Sequence, residues 1–113
     1  MDPSSYPEMI RNLPQADIPF PGVLAWIAQG ADHQVIFFDI EAGTEVPLHS
    51  HGAQWGIAVE GEMELTIGEE TRRYKAGDSY YVPAGVVHGA KFPTRFRAID
   101  VFDVPDRYQA KQT

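Results

Sequence analysis

Along most of the chain, apolar and polar residues alternate with a period of two. Met63, Leu65 and Ile67 interleave with Glu62, Glu64 and Thr66, the pattern of a strand with one buried and one wet face. Gly68-Glu69-Glu70 then turns the chain into Thr71-Arg72-Arg73-Tyr74-Lys75. The acidic positions of the first arm face the basic positions of the second as cross-strand pairs, which makes this charge cluster a solvated hairpin and not a binding site. Further strands are predicted at Val23–Ala28, Gln34–Glu41, Gln54–Glu60, Ser79–Val82, Gly89–Phe92 and Phe96–Phe102. Glycines at 22, 30, 43, 52, 61, 68, 77 and 85 punctuate them at roughly 7 to 13 residue intervals, as short strands joined by turns require. Two places read as helical: a short turn over Pro7–Leu13, and a C-terminal turn through Lys111 that starts near Asp103 as N-cap with Pro105 in its first turn. So many short strands in one small chain predict an all-β sandwich or barrel. The first twenty-one residues hold five prolines and read as an arm outside the core. The division expected is an arm over 1–20 and a single β-domain over 21–113.

Composition narrows the function. At 113 residues there is room for one domain. With no Cys, thiolate metal sites, disulfides and cysteine nucleophiles are all excluded. Nine basic against sixteen acidic residues give a net charge of −7, which disfavours nucleic acid as a partner. Apolar runs such as Val35-Ile36-Phe37-Phe38 are too short to span a bilayer, and Met1–Ser5 has neither the basic start nor the apolar core of a signal peptide. A cytoplasmic location is expected, with no membrane partner.

The chemistry lies in the histidines. Of four, two stand one apart in Pro47-Leu48-His49-Ser50-His51. On an extended strand His49 and His51 point to the same side, and Pro47 limits that strand to an edge. His88 follows the turn-forming Pro83-Ala84-Gly85-Val86-Val87. Three neutral imidazoles with an oxygen donor suit one divalent transition ion of unspecified identity, among Zn, Fe, Ni, Mn and Cu; by spacing alone, packed or surface histidines remain the alternative. His33, in the turn Gly30-Ala31-Asp32-His33, reads as a solvated loop residue.

Two runs of spaced residues resemble the cupin superfamily. Gly43, five residues, His49-Ser50-His51, then Gln54, six residues and Gly61 resembles the first cupin motif, in which a Glu stands one residue beyond the position of Gln54. Gly77, five residues, Pro83-Ala84-Gly85, two residues, His88 and then Phe92 resembles the second, in which an Asn stands at Phe92. The resemblance implies a double-stranded β-helix, or jelly-roll barrel, with metal ligands His49, His51, His88 and Gln54. It also implies a homodimer. If Gln54 faces the metal, alternation turns Trp55 outward, where a subunit contact explains it best.

The last strand adds a carboxylate. Phe96, Ala98, Asp100 and Phe102 share one face of Phe96–Phe102, and a carboxylate on an apolar face must be paired, ligating or catalytic. A pairing with Arg97 or Arg107 is the structural alternative. Asp100-Val101-Phe102 followed by Arg107, beside three His and one Gln, is similar to a small-cupin subgroup that ketonises the 4,5-unsaturated monouronates released from pectin and alginate, although Arg107 comes one residue later than in that pattern. The resemblance implies a metal-dependent isomerase on a small anionic, carbohydrate-like substrate. Asp100 would move the proton and Arg107 pair with the substrate carboxylate, while Phe102 and Tyr81 would contact the substrate. Cupins also include quercetinase-like dioxygenases and non-catalytic small-molecule binders, which are the alternatives.

Overall fold

A computed structural model describes residues 6–112. Nine strands follow a single helical turn: α1 (Glu8–Arg11), β1 (Val23–Gln29), β2 (Gln34–Ile40), β3 (Glu45–His49), β4 (Gln54–Glu60), β5 (Glu62–Ile67), β6 (Glu70–Lys75), β7 (Ser79–Val82), β8 (His88–Lys91) and β9 (Phe96–Phe102). They form two antiparallel sheets, ordered β1-β2-β9-β4-β7 and β3-β8-β5-β6. This is the expected jelly roll. Six of the punctuating glycines (22, 43, 61, 68, 77 and 85) hold positive φ, the conformation that Cβ-bearing residues rarely adopt.

Inward-facing apolar residues of both sheets make one core, among them Ile36, Phe38, Ala58, Leu65, Val82, Phe96 and Ala98. The β5–β6 hairpin carries the expected cross-strand ion pairs, Arg73 with Glu62 and Glu64, and Arg72 pairs with Glu70 on its own strand. On β9 the alternation runs as read: Phe96, Ala98, Asp100 and Phe102 are all buried on the inner face. Arg97, on the opposite face, is also buried and pairs with Asp39 and Glu60, so it is not the counter-ion of Asp100.

The segments flanking the barrel differ from expectation. Asp103 to Lys111 forms no helix. Instead the tail pairs with the arm: Ala16 bridges Ala110, Asp17 N–H donates to Gln109 O (2.8 Å) and Lys111 N–H to Gln15 O (2.7 Å). The arm is not a bystander. Ala16 belongs to the core, and the Tyr6 hydroxyl donates to Phe38 O at 2.9 Å. Prolines prevent a regular ladder there, yet the arm's backbone still bonds to β1, with Ala16 N–H on Ala25 O and Ile27 N–H on Pro14 O.

Candidate metal centre

β3 is an edge strand, as Pro47 demands, and pairs only with β8. Its register runs Val46↔Ala90 and then His49↔His88, so Pro47 and Leu48 together oppose Gly89. This bulge needs a glycine opposite it: a Cβ on residue 89 would lie 2.9 Å from Val46 O. Its result is to set His49 directly across from His88. His51 lies beyond the end of β3, in the connection to β4, where Gly85 N–H donates to His51 O at 2.9 Å. That bond ties the two histidine-bearing segments together.

The three rings converge, with centroid separations of 5.1 Å (His49–His51), 4.4 Å (His49–His88) and 4.5 Å (His51–His88). One ring nitrogen from each lies within 4.8 Å of the others. Every Nδ1 faces a backbone carbonyl: Pro47 O at 2.8 Å, Gly52 O at 2.7 Å and Val86 O at 3.0 Å. A carbonyl only accepts, so each Nδ1 carries the proton and each Nε2 keeps a lone pair. Burial pushes the His51 pKa down to about 4 and lowers that of His88, which keeps both rings neutral at pH 7, the state a ligand needs. The donor set fits a divalent transition metal.

The other half of the site lies on the five-stranded sheet. Asp100, Gly56 and Tyr80 stand side by side on β9, β4 and β7. Because Gly56 has no side chain, the Tyr80 hydroxyl reaches across it to donate to Asp100 Oδ1 at 2.8 Å. Gln54 Nε2 donates to Asp100 Oδ2 at 2.5 Å. Asp100 is fully buried, and burial raises its pKa to about 7 despite these two donors, which act in the opposite sense. No ion pair reaches it among the described residues. Gln54 lines the same cavity as the histidines, with its Nε2 engaged by Asp100 and its carbonyl oxygen left as a donor atom for a metal.

Arg107 also lines this cavity, stacked over Tyr108 at 4.4 Å, with no carboxylate partner among the described residues and its Nε unbonded. Gln34, buried beneath, fixes this part of the tail. Its amide donates to Tyr108 O (2.9 Å) and accepts from Tyr108 N–H (3.0 Å), as a strand would.

Two expected substrate contacts are placed elsewhere. Tyr81 is 57% exposed on the outer face of β7, because the pairing Gly56↔Tyr80 turns Tyr80, not Tyr81, into the barrel. Phe102 is buried against His51, Phe38 and Tyr108, behind the cavity wall. Gly56, Gln34 and Tyr108 were missed. Of these only Gly56 left a sequence signal, a glycine in mid-strand, which marks a close approach. His33 is exposed in its turn, as expected.

The Cupin domain family profile matches residues 36–102. H2HPP isomerase of Bacillus subtilis is 30% identical over 99 residues, covering 77% of this chain and 42% of its own length. The xanthan biosynthesis protein XanB of Xanthomonas campestris pv. campestris is 36% identical over 69 residues, 59% of this chain and 15% of that protein. This chain therefore spans less than half the length of either relative. Among solved structures, an RmlC-like cupin from Shewanella frigidimarina has a TM-score of 0.77 at 28% identity, covering 92% of this chain and 94% of that one. KdgF from a Halomonas species has a TM-score of 0.73 at 29% identity, covering 82% and 88%. With the profile spanning both histidine-bearing segments and the barrel that holds them, this chain belongs to the cupin family.

Proposed function

We propose that this protein is a metal-dependent isomerase that shifts a proton on a small anionic substrate bound in the His49–Arg107 cavity. One observation carries the reading: a fully buried carboxyl with its pKa near 7 faces the same cavity as three histidines with free Nε2 lone pairs. A group poised near neutrality both takes and returns a proton efficiently. His49, His51 and His88, with Gln54 as a candidate fourth ligand, would hold the ion. When bound, a divalent transition metal supplies a Lewis acid for the oxygen on which charge develops.

Asp100 takes the proton from the carbon beside that oxygen and returns it to a neighbouring position. Tyr80 and Gln54 hold its two oxygens in place, and Arg107 receives the substrate carboxylate in a two-pronged contact. The isomerase named among the relatives supports the reaction class. The 4,5-unsaturated monouronates suggested by Asp100-Val101-Phe102 and Arg107 are the first substrates to assay.

The test follows the ultraviolet absorbance of such a uronate with wild type, Asp100→Asn and metal-stripped protein, with oxygen uptake recorded beside it. Loss of absorbance in wild type alone, without oxygen uptake, is the expected result. Oxygen consumption would move the assignment to a dioxygenase, and an Asp100→Asn protein with normal metal content and full turnover would remove Asp100 from the mechanism.

We also propose that a second copy covers the outer face of β4 and β7, where Trp55 and Tyr81 are cross-strand neighbours 44% and 57% exposed. Sedimentation should give twice 12.6 kDa, and a monomer mass would refute it. Among the described residues no helix is long and apolar enough to cross a membrane.

A further inference from the structure

Three strands grade the cavity wall from polar to apolar in the same direction. On β9 the inner face steps from Asp100 through Ala98 to Phe96; on β8, His88 is followed by Ala90 and, just past the strand, Phe92; on β3, His49 gives way to Val46. Contacts between the sheets fix the sense, since the Phe92 and Phe96 rings lie 5.2 Å apart and the His51 ring 5.4 Å from Phe102. Four residues of strand span about 13 Å, so the apolar end is well removed from the carboxyl. From the arm, Ile18 and Phe20 also line the cavity.

The hydrogen-bonding side chains of this wall stand at one end: Asp100, Tyr80, Gln54, the three histidines and Arg107. A ligand hydroxyl carried toward Phe96 and Phe92 meets no partner, and a buried, unpartnered hydroxyl weakens binding by roughly tenfold or more. A methylene placed there strengthens it by a factor of about four.

We infer that, among small carboxylates, this cavity prefers a compact apolar body over a fully hydroxylated one; a 4,5-unsaturated uronate, with fewer hydroxyls, falls between them. The inference rests on the reading above that the histidine-lined cavity is the substrate site. The cavity measures about 90 Å³, less than the roughly 150 Å³ that holds benzene, so compact bodies fit it best. The carboxylate sits at Arg107, and the body points along Ala98 toward Phe96.

Ligand-observed NMR titrations of the protein as purified, with its metal content measured, test this with 3-methylbutanoate, acetate and gluconate. 3-Methylbutanoate should bind at least tenfold tighter than either of the others. Equal affinity for acetate and 3-methylbutanoate, or tighter binding of gluconate, would overturn the inference. Ala98→Leu fills the channel and should erase the preference at unchanged metal content; a preference that survives would also count against it. Where Ala98→Leu does not fold, Met63→Ala widens the same wall and should admit phenylacetate. Failure to gain phenylacetate binding would refute the route.

Failure of the isomerase reading gives a different pattern. An intact alkyl preference with no isomerisation of any substrate would remove that reading and keep this one. Rapid turnover of the unsaturated uronate without an alkyl preference would do the reverse.

Discussion

Gly56→Ala isolates the crossing on which the carboxyl half of the site depends. A Cβ at residue 56 would lie 2.5 Å from Tyr80 Cε1 and 2.6 Å from Asp100 Oδ2. Ordinary contact begins near 3.4 Å, so ring and carboxylate must together give way by about 1 Å. Both are buried in strands paired to Gly56 on either side, and a retreat into the cavity they line pulls them apart from each other. Overpacking of this kind costs about 1–3 kcal/mol, and loss of the Tyr80–Asp100 hydrogen bond about 1.5–3 kcal/mol. Stiffening of the unfolded chain by Ala offsets at most about 1 kcal/mol.

The net destabilisation expected is about 3 kcal/mol, read by urea unfolding with tryptophan fluorescence. In a Tyr80→Ala background the ring is gone, and the same substitution should cost at least 1 kcal/mol less, above the roughly 0.5 kcal/mol within which independent sites add. Metal content should be unchanged, because the histidines sit on β3, β8 and the loop after β3. A Gly56→Ala protein as stable as wild type, or a cost independent of Tyr80, would refute the argument.

The remaining predictions concern pH, the tail and the metal. In metal-free protein, depressed His51 and His88 lose stability as pH falls below the ordinary histidine range, whereas raised Asp100 loses it as pH climbs from about 4 through 7. Between pH 4.5 and 6 these oppose one another, so Asp100→Asn should make stability rise with pH more steeply by about 1 kcal/mol per unit; an unchanged slope in urea titrations would show that Asp100 does not hold its proton there. Gln34→Leu removes both bonds to Tyr108 and should cost about 2–3 kcal/mol while speeding tryptic cleavage after Arg107; unaltered cleavage would mean that the tail is held otherwise. Zinc or nickel at a hundredfold excess over Kd should add about 2.7 kcal/mol to unfolding, reversed by chelator and absent in His49→Ala, and a thermal melt blind to both ions would remove the metal centre.

Much of the barrel was legible because its strands are short and amphipathic, so a period of two marks both element and face. The limits of β4, β7 and β9 follow directly from that pattern and its flanking glycines and prolines. His49 and His51 were readable as a pair, although the second lies past the strand end, since an extended link keeps the same parity. Tyr80 against Tyr81 was not readable, because both are aromatic and only the partner strand decides which turns inward. Tyr108 was hidden more deeply: its place depends on the Gln34 side chain, 74 residues away, and no local pattern encodes such a bond. The arm was misjudged because prolines erase periodicity without preventing burial, as Ala16 and Tyr6 demonstrate.

The bonds between residues 15–17 and 109–111 turn the two flanking segments into one working part. One of them lends the cavity Ile18 and Phe20, and the other brings Arg107 to its wall. The three histidines and the buried carboxyl belong to the barrel, while part of the apolar lining and the positive charge belong to this clasp. Exchanging the clasp alone therefore changes the lining and charge of the cavity, with the histidine-bearing segments left as they are.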